Sequence, residues 1–255
     1  MTKIDLSKIS TRAPEELDKD EAKEISKERA DRIAELHEQL VAEGEHAVLI
    51  ILQGMDASGK NGAMEHVFGS CSPFGLRAVG WKKPTEEEFD HDFLWRIHKE
   101  VPAKGEMVIF NRSHYEDVLV QRVHSWITER QVDQRIDSIN AFERLLQNDN
   151  NTLILKFYLH LSYEEQEEQL RERLEEPDKY YKHNDGDWKE REHWSEYRAA
   201  YEDVMARSEL PWHIVPVDQR WYRDYVMTEI VLRELEGLNM QWPGLETVTF
   251  SKADG

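Results

Sequence analysis

Gly54-Met-Asp-Ala-Ser-Gly-Lys60 follows almost directly on Ala47-Val-Leu-Ile-Ile-Leu52, an apolar run of strand length. The pattern is G-x-x-x-x-G-K, the P-loop or Walker A sequence, in the strand–loop–helix setting that gives it meaning. Its chemistry is phosphate binding. Backbone N–H groups of Gly54, Ala57, Ser58 and Gly59 can turn inward on phosphate oxygens, and the next helix adds the positive end of its dipole. Lys60 then reaches the terminal phosphates. The position after this lysine is ordinarily Ser or Thr, a magnesium ligand, but here it is Asn61. An amide oxygen is a weaker ligand for a hard cation than a carboxylate. Asp56, inside the loop, is the expected substitute, because a carboxylate beside a bound phosphate is repulsive unless a cation bridges them. The cofactor this implies is magnesium, with manganese as the alternative.

A second polar burst, Asn111-Arg-Ser-His-Tyr-Glu-Asp-Val118, follows the short apolar segment Met107-Val-Ile-Phe110. In a parallel α/β sheet the tip of a neighbouring strand faces the same ligand as the first loop. Arg112 is therefore placed to neutralise a transferring phosphoryl group, and Arg122 lies on the helix expected next.

These residues need a sheet to hold them. Strands are expected at Ala47–Leu52, Leu76–Trp81, Met107–Phe110, Thr152–Leu159 and His213–Val217. Between them the apolar period lengthens. Helices are expected from about Pro14 to Ala42, from the capping box Thr85-Glu-Glu-Glu88 to about His98, from the capping box Ser162-Tyr-Glu-Glu165 to about Leu174, and from Trp221 to Glu236. The alternation predicts a P-loop kinase-like three-layer α/β/α fold with a mainly parallel sheet of about five strands. The polar segment at 175–189 interrupts two helices and reads as a helical lid. Residues 1–45 form an N-terminal helical arm, 46–240 the P-loop phosphotransferase domain, and 241–255 a C-terminal tail. The arm packs either on the core or on a neighbouring subunit, so a homo-oligomer is expected.

Composition narrows the partners. The chain of 255 residues carries a formal net charge of −19, which argues against a nucleic-acid binder working through bulk attraction. A polyanionic substrate would need positive charge focused in a groove. One cysteine, Cys71, excludes an internal disulfide, and no apolar run approaches membrane length,. No membrane partner and a cytoplasmic location are expected.

Four blocks, GMDASGKNG, WKKPTEEEFDHDFLWRIH, FNRSHYEDVLVQRVH and RERLEEPDKYYK, occur in the order found in the polyphosphate kinase 2 family, and the chain resembles that family from about Glu28 to Leu235. The NRSHYEDV block is similar to its third class, whose members phosphorylate both nucleoside monophosphates and diphosphates from polyphosphate. The resemblance implies that Asp56 holds metal, that Lys60 binds phosphate, and that Arg112 and Arg122 handle phosphates of nucleotide or polyphosphate. Many members carry Asp where this chain has Asn111, an amide shared with other third-class sequences. Glu116 and Asp117 replace the Asn-Arg pair of diphosphate-preferring relatives and become candidates for substrate choice. Lys82 and Lys83 are assigned to the positive groove, and Asp90, Asp92, Phe93 and Arg96 to the nucleotide, unless they are only a charged helix face. Lys179 and Lys182 fall in the lid. The implied partners are inorganic polyphosphate and adenine or guanine nucleotides. On the P-loop alone, an ATP-dependent small-molecule or nucleoside monophosphate kinase is the alternative.

Overall fold

The computed structural model describes residues 4–245. Five strands, β1 (Ala47–Gln53), β2 (Leu76–Gly80), β3 (Met107–Asn111), β4 (Thr152–His160) and β5 (Trp212–Pro216), form one parallel sheet in the order β2-β3-β1-β4-β5. The central strand β1 is buried along its whole length. Successive side chains of a strand point to opposite faces. Leu49 and Ile51 accordingly enter one core layer, and Val48, Ile50 and Leu52 the other. An apolar run without alternation is thus the signature of a strand covered on both sides.

In chain order the α-helices are α1 (Lys19–Glu43), α2 (Lys60–Phe68), α3 (Glu86–Asp90), α4 (Trp95–His98), α5 (Glu116–Val123), α6 (Glu129–Asn150), α7 (Tyr163–Glu175), α8 (Asp185–Glu190), α9 (Trp194–Arg207) and α10 (Arg220–Gly237). Helices α5, α6 and α9 cover the first face through Val118, Ile136, Ile139 and Val204. Helices α1, α2 and α10 cover the second through Ile33, Leu40, Val67 and Val231. The expected three-layer arrangement is present. Among the described residues, no helix is long and apolar enough to cross a membrane.

The differences from expectation have local causes. Helix α1 begins at Lys19 instead of Pro14 because the Asp18 carboxylate caps the Asp20 and Glu21 amides, each at 2.9 Å,. It packs along α10 and α2, with Leu36 in the second core layer. The helix expected over 85–98 is two short ones. Thr85 and Glu88 do form their capping box, but Asp92 bonds the Leu94 amide two residues on (3.0 Å) and diverts the backbone,. Ser162 caps α7 by accepting from the Glu165 amide at 3.1 Å. Its own amide, however, bonds Asp218 (2.8 Å) while Glu165 turns to Gln169 (2.9 Å), so the box is half formed. Helix α6 has no counterpart among the expected elements, and α9 corresponds to the helix expected, without bounds, after the 175–189 segment. Residues 241–245 of the expected tail carry no helix or strand, and 246–255 lie outside the described residues.

Candidate active site

The C-terminal ends of β1, β3 and β4 meet at one edge of the sheet, where the Gly54 loop leaves β1. Gly54 adopts φ 151°, and a Cβ there would sit 2.8 Å from both the Leu159 carbonyl and Ser58 Oγ. Only glycine fits. Gly59 opens α2 at φ 83°, and a Cβ on it would meet the Arg223 guanidinium at 2.7 Å. Arg223, 1% exposed, braces the loop from below by donating to the Gly59 carbonyl at 3.0 Å and to Asp224 at 2.7 Å.

Lys60 lies folded against the loop. Its Nζ donates to the carbonyls of Gly54 (2.8 Å) and Met55 (3.0 Å) and to Ser58 Oγ (3.3 Å). Burial, seconded by the positive charge of Arg112, pushes its ammonium down to about 8. An anion arriving at the loop would favour the charged form.

Across the loop stands Arg112, in the left-handed region at φ 67° with its amide bonded to the Leu52 carbonyl at 2.9 Å. Its guanidinium bonds Asp56 and, at 2.9 Å, Glu116. The Glu116 charge, with Asp56, raises its pKa further although burial opposes this. Gln53, in the amide orientation that satisfies its neighbours, donates to Glu116 (2.8 Å) and accepts from the Ser113 amide (3.1 Å). Asn111 Nδ2 donates to Asn61 Oδ1 at 2.6 Å. The Asp56 carboxylate and the two amide oxygens are hard donors, which suits a divalent cation that keeps phosphate and water oxygens in its shell. Among the described residues no three His, Cys, Asp or Glu side chains converge as a metal site of their own. Such a cation would need the substrate's phosphates.

Two hollows meet at Asp56. The first, about 470 Å³, is walled by Trp81, Pro84, Trp126, Trp194 and Tyr197, with Arg112, Glu116, Asp187 and Glu190 among its polar groups. Trp126 is 57% exposed at its mouth, with Lys83 Nζ 6.0 Å above the ring. The second, about 730 Å³, runs past Lys60 and His66 and is lined by Arg173, Lys179, Lys182, Arg220 and Arg223. The lid segment borders both. Its short 3-10 turn Pro177–Lys182 faces the groove, and α8 faces the cavity. Burial raises the pKa of Asp187 on α8, and the nearby Asp56 charge adds to it. Arg191 ties the far end of the lid down through the Tyr163 carbonyl (2.6 Å) and Gln166 (3.0 Å), and Gln166 in turn donates to the Asp56 carbonyl at 3.0 Å.

Asp56, Lys60, Arg112 and Glu116 are brought together, as are Ala57, Ser58, Gly59 and Asn61 along the groove. Other expected residues lie apart from this group, although Lys82, Lys83, Arg96 and Asp117 line the cavity and Lys179 and Lys182 the groove. Arg122 is bound by Glu129 (2.6 Å) and Asp203 (2.7 Å), away from both hollows. Helical geometry turns it off the face that carries Glu116, Val120 and Gln121. Asp90 is exposed and borders neither hollow; Phe93 packs on the core beneath Arg135, its ring 5.0 Å away. Lys82 and Lys83 line the cavity, not the groove. Arg96 is buried and donates to the Lys82 carbonyl (2.9 Å) and Asp117 (3.2 Å). Asp117 also accepts from Gln121 at 2.6 Å, so both its oxygens are engaged; burial raises its pKa and Arg96 opposes this. Lys179 is paired with Glu172 and Glu176, both at 2.6 Å. Sequence reasoning missed Arg173, Arg220 and Arg223 in the groove, and Trp194, Tyr197 and Tyr201 at the cavity. All six are joined to the loop only by the fold.

The model of the polyphosphate kinase 2 family matches residues 16–243. The chain belongs to the polyphosphate kinase 2 family. It is an enzyme of polyphosphate-dependent nucleotide phosphotransfer. An AMP/ADP-polyphosphate phosphotransferase of Meiothermus ruber is 45% identical over 86% of this chain and 82% of that protein. An ADP-polyphosphate phosphotransferase of Rhodopseudomonas palustris is 35% identical, over 94% and 89% of the two chains. A crystal structure of polyphosphate kinase 2 from Arthrobacter aurescens superposes with a TM-score of 0.92 at 38% identity, covering 96% of this chain and 89% of that one.

Proposed function

We propose that this polyphosphate kinase 2 phosphorylates both AMP and ADP, with the nucleotide in the aromatic cavity and the donor chain in the basic groove. The observation that carries the reading is that the two hollows share Asp56 of one phosphate-binding loop, the cavity lined also by Gly54 and Met55 and the groove by residues 57–62. The similarity to the Meiothermus ruber protein, named for both AMP and ADP, supports the two acceptors.

The end of the donor chain would lie on the loop amides beside Lys60. The nucleotide's terminal phosphate would face it from the cavity, near Arg112. Phosphoryl transfer needs little covalent help, so alignment and charge neutralisation carry the rate. Lys60 and Arg112 offset charge on the transferring group, while Glu116 orients Arg112 and bears on which acceptor is taken. Asp56 would hold a magnesium ion, which would supply charge neutralisation on the phosphates. The lid, carrying Lys179, Lys182 and Asp187, closes over both substrates and excludes water that would otherwise hydrolyse the donor. The reading keeps a homo-oligomer, which sedimentation would measure, and no nucleic-acid partner.

The test incubates the protein with magnesium, polyphosphate and either AMP or ADP, and separates nucleotides by chromatography. ADP and then ATP appearing from AMP supports the reading. ATP from ADP alone would overturn the dual-acceptor assignment and leave the family intact.

A further inference from the structure

Behind the Arg112 turn, on the side away from the substrates, lies a charged cluster with no solvent access. Lys156 of β4 is 0% exposed and Glu143 of α6 is 1% exposed. The Lys156 ammonium donates to Glu143 at 2.7 Å, to the Tyr115 hydroxyl at 2.9 Å and to Ser208 Oγ. Tyr115 completes the ring of bonds by donating to the other Glu143 oxygen at 2.8 Å. All three ammonium hydrogens are used. His114, also fully buried, brings Nε2 to 3.5 Å from Glu143 and packs its ring on Phe142. The Tyr115 ring lies edge-on to Trp212, centroids 4.8 Å apart.

This cluster makes poor sense as a source of stability. Taking two charges out of water is expensive, and apolar residues of similar volume commonly do as well or better in such a place. The rings beside it are Trp212, its centroid 5.3 Å from the Lys156 ammonium, and Phe142 against His114, and both belong to the apolar core layer. What the cluster supplies is direction. Lys156, Glu143 and the Tyr115 hydroxyl have one geometry in which their bonds are all made, while the His114 ring nitrogens make none, and any shift of Tyr115 would strand a buried charge,.

Tyr115 and His114 belong to the turn that presents Arg112. Along residues 112–116 the chain alternates between two environments. Arg112 and Glu116 face the cavity, while Ser113, His114 and Tyr115 are buried. Arg112 also sits at φ 67°, a region that residues with a Cβ rarely occupy and keep only where their surroundings over-determine it,. On the cavity side it is held by Asp56 and Glu116, groups that must respond when phosphates arrive. The buried side is the part of the frame that the substrates do not touch.

We propose that Lys156 and Glu143, acting through the Tyr115 hydroxyl, are positioning residues that fix the Arg112 turn for phosphoryl transfer. The inference rests on the reading that Arg112 neutralises the transferring group. Tyr115→Phe removes one hydroxyl and leaves the ring packing. Lys156→Met with Glu143→Gln removes both charges at nearly constant volume.

The experiment measures kcat, both KM values and the thermal midpoint for each variant, and repeats Tyr115→Phe in an Arg112→Ala background. We expect a loss in kcat of about tenfold to a hundredfold for Tyr115→Phe and for the double variant. KM for polyphosphate and for nucleotide should stay within about twofold, and the thermal midpoint of the double variant should be equal or higher. In the Arg112→Ala background, Tyr115→Phe should cost nothing further, because groups acting as a unit are not additive. A folded Tyr115→Phe enzyme with parental kcat overturns the proposal, and so does an equal loss in both backgrounds. Should the double variant fail to fold, the Tyr115→Phe pair of measurements still decides. If Arg112→Ala alone retains parental kcat, the reading of Arg112 falls; if Arg112→Ala is crippled and Tyr115→Phe is not, only the positioning role falls.

Discussion

The groove beside Lys60 gathers its cations from separate elements: Arg173 from α7, Lys179 and Lys182 from the lid turn, and Arg220 and Arg223 from α10. The cavity on the other side of Asp56 has Trp81, Trp126, Trp194 and Tyr197 for walls, and the carboxylates Glu116, Asp187 and Glu190 among them. One hollow fits a featureless string of phosphates, the other a flat aromatic base on a sugar phosphate. The difference shows how a chain of net charge −19 can hold a polyanion. Besides Lys82, Lys83 and Arg112 at the cavity, positive charge is gathered along the groove, close enough to act over a few ångströms while solvent and salt screen the rest,. Even there the cations are partnered, Lys179 by Glu172 and Arg173 by Asp187. A polyphosphate would have to displace or share those carboxylates, so its affinity should fall with salt.

The largest effect is expected at the loop lysine, which lines the groove beside the Asp56 that both hollows share. Lys60→Ala should lower kcat by about a thousandfold or more with either AMP or ADP, measured under saturating donor. A change confined to KM for polyphosphate would instead make Lys60 a groove residue only. A crossed pair sharpens the comparison. Arg220→Ala should raise KM for polyphosphate about tenfold and leave KM for nucleotide within twofold. Trp126→Ala should do the reverse, since loss of one stacking face is worth about 1–3 kcal/mol. If both variants move the same KM, the two hollows hold one substrate.

The pH response carries the same division. Lys60 titrates near pH 8 in the folded chain, against 10.5 for an ordinary lysine. Below pH 8 it is charged in folded and unfolded states alike, and its burial penalty is fully present. From 8 towards 10.5 the folded lysine sheds its proton and that penalty disappears, so this group does not destabilise the fold as pH rises. It does lose the charge that a phosphate requires. The kcat/KM for polyphosphate, which reports the free enzyme, should therefore fall above about pH 8, tested with a titration at constant ionic strength. The smallest effect belongs to Arg122. Held by Glu129 and Asp203 away from both hollows, Arg122→Ala should change kcat by less than about threefold, against about a hundredfold or more for Arg112→Ala.

The strands and the loop were legible because each is written locally. Ala47–Leu52 is apolar throughout, and Gly54, Gly59 and Lys60 follow it at fixed spacing. The placement of Arg122 off both hollows could not be read locally, because the phase of a helix depends on where it starts, and residues 113–115 form a turn before α5 begins at Glu116. Asp90 and Phe93 were placed on one continuous helix, and the Asp92 turn removed it. Lys82 and Lys83 carry the right charge for the groove, yet the end of β2 points them to the cavity. Arg223 had no local signal, since its partner is the Gly59 carbonyl far away in sequence. Helix α6 could have been found from the Thr128 and Gln131 capping box and the spacing of Val132, Ile136 and Ile139. The buried pair of Lys156 and Glu143 could not, because a lysine inside TLILKFYL reads as an interruption until the fold supplies its carboxylate.

The contact from Arg191 through Gln166 to the Asp56 carbonyl joins the end of the proposed lid to the loop through side chains as well as through the backbone. The two cannot then breathe independently. Amide protons at the root of the lid and in the Asp56 turn should exchange with solvent in shared opening events. A nucleotide leaving the cavity would loosen the donor's seat at the same moment, and turnover of one substrate would set the clock for release of the other.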